Sequence, residues 1–166
     1  MHFDFTQRFQ ADIADVADAF CDPGYYDALA ASPKLGTPAV LSRTVDGDIV
    51  VMRVRYRFAG ELSSAARAVL DPDKLTWVEE STHDLANHVV TFTLQPDHYA
   101  DRFKASGSYR FDVDLADADA TIRRAQGDVK VRAPLVASAV ERAIISGLKE
   151  HLDEEETLLV AFFGAA

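Results

Sequence analysis

His151 and Glu155 stand one helical turn apart near the end of the chain, and of all the residues present they are the pair best suited to acid–base chemistry. At i and i+4 on a helix their side chains meet. A carboxyl withdrawn from water is disfavoured as an anion and its pKa rises, as a general acid or base requires, while a protonated imidazole beside it pulls the value down again. Such a pair can polarise a carbonyl or hold a ligand's hydroxyl. The competing reading is a helix end that projects beyond the fold, leaving both groups in water with Asp153, Glu154 and Glu156.

A second set comes from strand-like stretches, where alternation turns Tyr56, Tyr109 and His88 inward, with Trp77 nearby. Together with His151 and Glu155 these are the candidate ligand-binding residues. A mostly apolar wall with a few polar groups is the usual lining of a small-molecule site, although single inward aromatics serve equally as core. His83 and His88 bracket a four-residue hairpin loop and, with Asp84, approach a metal-ligand spacing. Two histidines at a polar hairpin tip are more commonly surface, so neither a metal nor a cofactor is expected. Gly-rich phosphate loops and a Gly-x-Ser-x-Gly elbow are absent from the sequence. Cys21 is the only cysteine, which excludes an intrachain disulfide and points to a buried structural thiol.

The elements that must position these residues follow from periodicity. His2 to Phe9 alternates as a strand with Phe3, Phe5 and Phe9 on one face. Asp12 is placed to cap a short helix that buries Ile13, Val16, Ala17 and Phe20, and Asp22-Pro23-Gly24 stops it. A second short helix runs from Tyr25 to Ala31. Val40 to Val45 and Ile49 to Phe58 flank Asp46-Gly47, a hairpin signal. Within that second strand Arg53, Arg55 and Arg57 share the outer face; they read as a solvated row paired with acidic neighbours such as Glu79 or Glu80, rather than as an anion site.

Ala-rich Ser63 to Leu70 reads as a short inserted helix. Leu75 to Ser81 and His88 to Leu94 form a hairpin, Phe103 to Val113 alternates with Gly107 inside it, and Asp117-Ala118-Asp119 turns the chain into Thr121 to Val131. Gly107 and Gly127, inside strands, call for a sharp bend or open space. Pro134 to about Phe163 is then one long helix, with Ala137, Val140, Ile144, Leu148, Leu152, Leu158, Leu159 and Phe162 in a single apolar stripe and Glu155 near its middle. The order is strand, two short helices, six strands, long helix. Hairpin-length connections make this an α+β domain, a curved antiparallel sheet of about seven strands wrapped around the C-terminal helix.

The chain has 166 residues, the length of one domain, and is expected to be a single domain over 1–166. A formal charge of −10 and a pI near 4.8 work against nucleic acid and anionic membrane surfaces as partners. Met1-His2-Phe3-Asp4 already alternates like a strand rather than opening a leader, and no apolar run is long enough for a membrane span, so a cytoplasmic location is expected.

This order, with two stretches of sequence, resembles the START-like or SRPBCC superfamily, the helix-grip fold. One stretch is Ile13 to Tyr26, a helix followed by Asp22 and by the aromatics Tyr25 and Tyr26; the other is the strand-to-helix junction Val129 to Glu141, which is similar to that of a small bacterial branch of undetermined function. The resemblance covers nearly the whole chain and implies the fold. It brings no catalytic motif. The leading expectation is a binding or carrier domain for a hydrophobic or amphipathic small molecule or lipid, held between sheet and helix. A cyclase- or hydratase-like enzyme with Glu155 and His151 as acid and base is the alternative, and a ligand-free interaction module acting through the acidic outer face of the helix is the third.

Overall fold

In a computed structural model, residues 1–31, 36–59, 67, 71–133 and 135–165 are described. β1 (His2–Phe9) leads into α1 (Ile13–Ala19) and α2 (Pro23–Ala28), which is extended by a 3-10 turn at Leu29–Ala31. Six strands follow: β2 (Ala39–Asp46), β3 (Ile49–Arg57), β4 (Thr76–Asp84), β5 (Val89–Pro96), β6 (Phe103–Asp114) and β7 (Asp117–Val131). The chain closes with α3 (Ala137–Ala165). The inserted helix expected at 63–70 falls, Arg67 apart, outside the described residues.

All pairings are antiparallel and the sheet order is β1-β7-β6-β5-β4-β3-β2. The first strand therefore pairs with the last, and α1 and α2 carry the chain from one sheet edge to the other. Asp22 starts α2 as well as ending α1: its Oδ1 accepts from the Gly24 N–H at 2.7 Å, with Pro23 at the first helical position. Asp12 occupies the corresponding place before α1 but makes no side-chain cap bond. Gly47 takes φ +57° in the β2–β3 turn, as the Asp-Gly pair requires.

Three boundaries differ from expectation. β4 runs on through His83 and Asp84, so His83 is inside a strand and 4% exposed instead of at a polar tip. His88 does not open β5; it sits in the turn at φ +53° with Asp84 accepting from Asn87 N and Nδ2 at 3.0 and 2.8 Å. The chain also reverses at Leu115–Ala116, before the predicted turn, because the Asp114 carboxylate accepts from Ala116 N at 2.9 Å. Asp117 already belongs to β7.

α3 lies along β1, β7 and α2. Val140, Leu152 and Leu159 of its stripe are buried, as is Glu155, while Ile144, Leu148 and Phe162 remain half-buried. One apolar cluster joins α1, α2 and the end of α3 to the sheet through Val16, Phe20, Tyr25, Met52, Val54, Phe111 and Leu159. In the second, only Phe3, Phe92, Ala105 and Val129 are fully buried; Leu94, Tyr109, Ile144, Ile145 and Leu148 face the same interior yet keep accessible surface. On the outside, Arg53, Arg55 and Arg57 pair with Glu80, Asp97 and Asp73 at 3.5, 3.0 and 3.4 Å. Exposed pairs of this kind contribute at most about 1 kcal/mol each.

Candidate functional site

At the sheet–helix junction stands a residue that its type conceals in the sequence. Arg123 of β7 is 2% exposed and lies between Gln7 of β1 and Phe111 of β6 in the register. Its Nε donates to Gln7 Oε1 at 2.7 Å and its Nη2 to Glu155 Oε2, while Gln7 Nε2 donates to the Leu152 carbonyl. The guanidinium carbon lies 4.3 Å from the ring centre of Phe20, 4.7 Å from Tyr109 and 5.3 Å from Phe9. Burial alone would push this guanidinium down, but Glu155, Tyr109 and Tyr25 hold it up, so the cation is retained. Strand alternation from Thr121 through Ala125, Gly127 and Val129 places position 123 inward, and that parity is the signal that reveals it.

Glu155 is thus inside the fold, 7% exposed, and His151 Nε2 lies 3.5 Å from its other oxygen. The helix does not leave the core at this point. His151 Nδ1 and the Tyr25 hydroxyl are buried without a hydrogen-bond partner among the described residues. Tyr25 packs edge-on against Phe20 and Phe162, 5.0 and 5.8 Å between ring centres, and its hydroxyl is pushed well up by burial and then by Glu155.

The remaining sequence candidates are spread along the sheet's inner face. Tyr56 is buried and stacks on half-buried Trp77, 5.7 Å between centres and 15° between planes. Tyr109 stacks on Phe92 at 4.9 Å and also lies against Arg123. His88 stands apart from these in the hairpin turn. His83 shares the interior instead: its Nε2 is 2.9 Å from Ser81 Oγ, and burial pushes the imidazole down to about 4. A metal shared by His83, His88 and Asp84 conflicts with these roles, and among the described residues no three His, Cys, Asp or Glu side chains are grouped to hold an ion.

Glu79 is the second residue concealed by its type. Expected beside the outer arginines, it lies on the same face of β4 as Trp77, Ser81 and His83, opposite Val54 and Leu94 in the register. Of the two glutamates, Glu80 meets the arginine row. Burial, then the negative field of Glu155, raises the Glu79 carboxyl to about 7, against a smaller opposing pull from Arg123. Yet the residue retains part of its accessible surface. Two hollows, of about 450 Å³ beside Cys21 and Arg43 and about 370 Å³ beside Arg8 and Val160, open outward and reach none of these groups. The Cys21 thiol is pushed up to about 11 by burial, which makes it a poor nucleophile.

These values fix how stability responds to pH. Unfolded His83 binds its proton near 6.5 and folded His83 near 4, so stability is lost as pH falls through that window. Glu79 acts in the opposite sense. Its folded carboxyl keeps a proton to about 7 while the unfolded one releases it near 4.5, so rising pH between those values weakens the fold by up to about 3 kcal/mol. Glu79→Gln therefore raises the melting temperature at pH 8 and leaves it unchanged at pH 4.5. Equal differences at the two pH values would contradict an interior position for this carboxyl.

Comparison with known proteins agrees with this architecture. The model of the family described as "Protein of unknown function (DUF2505)" matches residues 4–162. A search of curated proteins gave no match. Among solved structures the chain is similar to the Zhui aromatase/cyclase of a Streptomyces species, with 19% identity, a TM-score of 0.66, and coverage of 97% of this chain and 92% of that one. Norcoclaurine synthase from Thalictrum flavum gives 13% identity, a TM-score of 0.64, and coverage of 96% and 86%. A START superfamily protein from Mycobacterium smegmatis gives 18%, 0.58, and 97% and 98%. The fold is accordingly START-like, a seven-stranded antiparallel sheet gripping the C-terminal helix. No described helix is long and apolar enough to cross a membrane.

Proposed function

The chain belongs to the DUF2505 family, and we infer that this member is a binding or carrier domain for a hydrophobic or amphipathic small molecule held between the curved sheet and α3. One observation carries the reading. Inward-facing Trp77, Leu94, Tyr109, Ile144 and Leu148 keep accessible surface where a closed core would have sealed them. The wall they form is apolar and aromatic, and its polar groups are few, chiefly Glu79 and His151. That composition suits a ligand with a large apolar body and a small polar head. Similarity to a named cyclase and a named synthase supports a cup that admits small molecules, at the level of fold.

Native mass spectrometry of the protein purified from its own host checks this. The expected spectrum contains an adduct that organic solvent extracts as an apolar molecule. A protein that carries no adduct and takes up no apolar fluorescent dye would refute the reading.

The enzyme reading has the 3.5 Å approach of His151 to Glu155 in its favour. Against it, the other Glu155 oxygen is committed to Arg123, which makes this carboxylate a counter-ion before anything else. The carrier reading ranks first for that reason.

A further inference from the structure

The charged groups that face the interior between the sheet and α3 do not balance. Arg123 is used by Glu155 and Gln7, and three aromatic rings cover it, so its charge is already matched and screened from a ligand. Glu79 has no such counterpart: among the described residues nothing donates a hydrogen bond to it and no cation pairs with it. The groups within its electrostatic reach are Arg123 and Glu155, and the phenols of Tyr26 on α2, Tyr56 on β3 and Tyr109 on β6; His151 faces the same interior from α3. Tyr26 spends its hydroxyl on the Phe20 carbonyl at 3.0 Å. Two residues before Glu79 on the same face of the strand, Trp77 stacks on Tyr56 and presents aromatic surface beside the carboxyl.

A carboxylate next to aromatic faces is the chemistry that recognises an organic cation. The carboxylate supplies the opposite charge, and the rings supply their negative faces. An anionic head would meet the like charge of Glu79, with the one buried arginine already taken by Glu155. We propose that the head group held beside Glu79 is the ammonium of an amphipathic amine. The proposal rests on the carrier reading above and adds the charge of the ligand to it.

Trp77 is the only tryptophan in the chain, so its emission reports on this wall directly. The test is a titration at pH 8, where the Glu79 carboxyl is mostly ionised, with octylamine, octan-1-ol and octanoate as separate probes at physiological salt. Octylamine is expected to bind at least about tenfold more tightly than octanoate, and Glu79→Gln to erase its advantage over the alcohol. Octanoate binding as well as the amine would overturn the proposal and leave the carrier reading standing. So would an amine advantage that survives Glu79→Gln, which would trace it to general attraction by a chain of charge −10. Trp77 emission unmoved by all three probes would overturn the carrier reading and the proposal together. Glu79→Gln is the same shape as the native residue and removes a buried charge, so loss of folding is not expected to obscure the comparison.

Discussion

Arg123→Leu is expected to cost about 3–5 kcal/mol in urea denaturation at pH 7, among the largest losses available to a single substitution in this chain. The reason lies less in what the arginine contributes than in what its removal leaves behind. Glu155 is 7% exposed, and without Arg123 its carboxylate would stay buried with only the His151 imidazole beside it at 3.5 Å, while Gln7 Oε1 loses its donor in the same step. The double variant Arg123→Leu, Glu155→Leu removes both charges and is expected to recover most of the loss, because an intact buried pair stabilises little beyond an apolar pair of similar size. Separate additive losses for the two substitutions would show that the charges do not depend on each other. A single-variant cost below about 1 kcal/mol would mean that water reaches Glu155 after all.

The same residues show what the sequence can and cannot disclose. Strand alternation, the Asp46-Gly47 turn and the long apolar stripe of α3 are local signals with fixed periods, and they place every described strand to within a few residues. Glu155 was visible because it interrupts that stripe at an otherwise apolar position. Arg123 and Glu79 obey strand parity just as strictly, but a charged residue in an alternating strand is read outward by type, and one face of a strand looks like the other until the partner strands are known. His83 and His88 exchange places for a different reason. Four residues between strands fit more than one turn, and the choice was made by Asp84 holding Asn87 with His88 in the left-handed region, a conformation no periodicity announces. Pairing of Arg123 with Glu155 joins elements 32 residues apart, and Gln7 stands 116 residues from the arginine it accepts from. Such contacts depend on the whole topology.

Gly127→Ala is the second large effect. Phe3, Gly127, Gly107 and Phe92 form one row across β1, β7, β6 and β5, so two aromatic side chains flank two glycines that face each other directly. Of the two expectations for these glycines, open space does not hold: the space above each is filled by a ring. A Cβ on Gly127 would lie 2.4 Å from the Ser106 carbonyl oxygen and 2.7 Å from Phe3 Cζ; one on Gly107 would lie 2.4 Å from the Gln126 oxygen and 2.8 Å from Phe92 Cζ. Rings can rotate away, but carbonyls belonging to the paired strands cannot without opening the ladder. Gly127→Ala is therefore expected to cost about 3 kcal/mol or more, and trimming the ring with Phe3→Leu should not restore the loss. Gly147 on α3 provides the opposite sign, since a Cβ there meets nothing within 4 Å and Ala favours helix by up to about 1 kcal/mol. If Phe3→Leu rescued Gly127→Ala, the ring rather than the backbone would set the limit. The backbone of the β6–β7 pair would then have room for a Cβ at this point, and the close approach of the two strands would not be what demands glycine here.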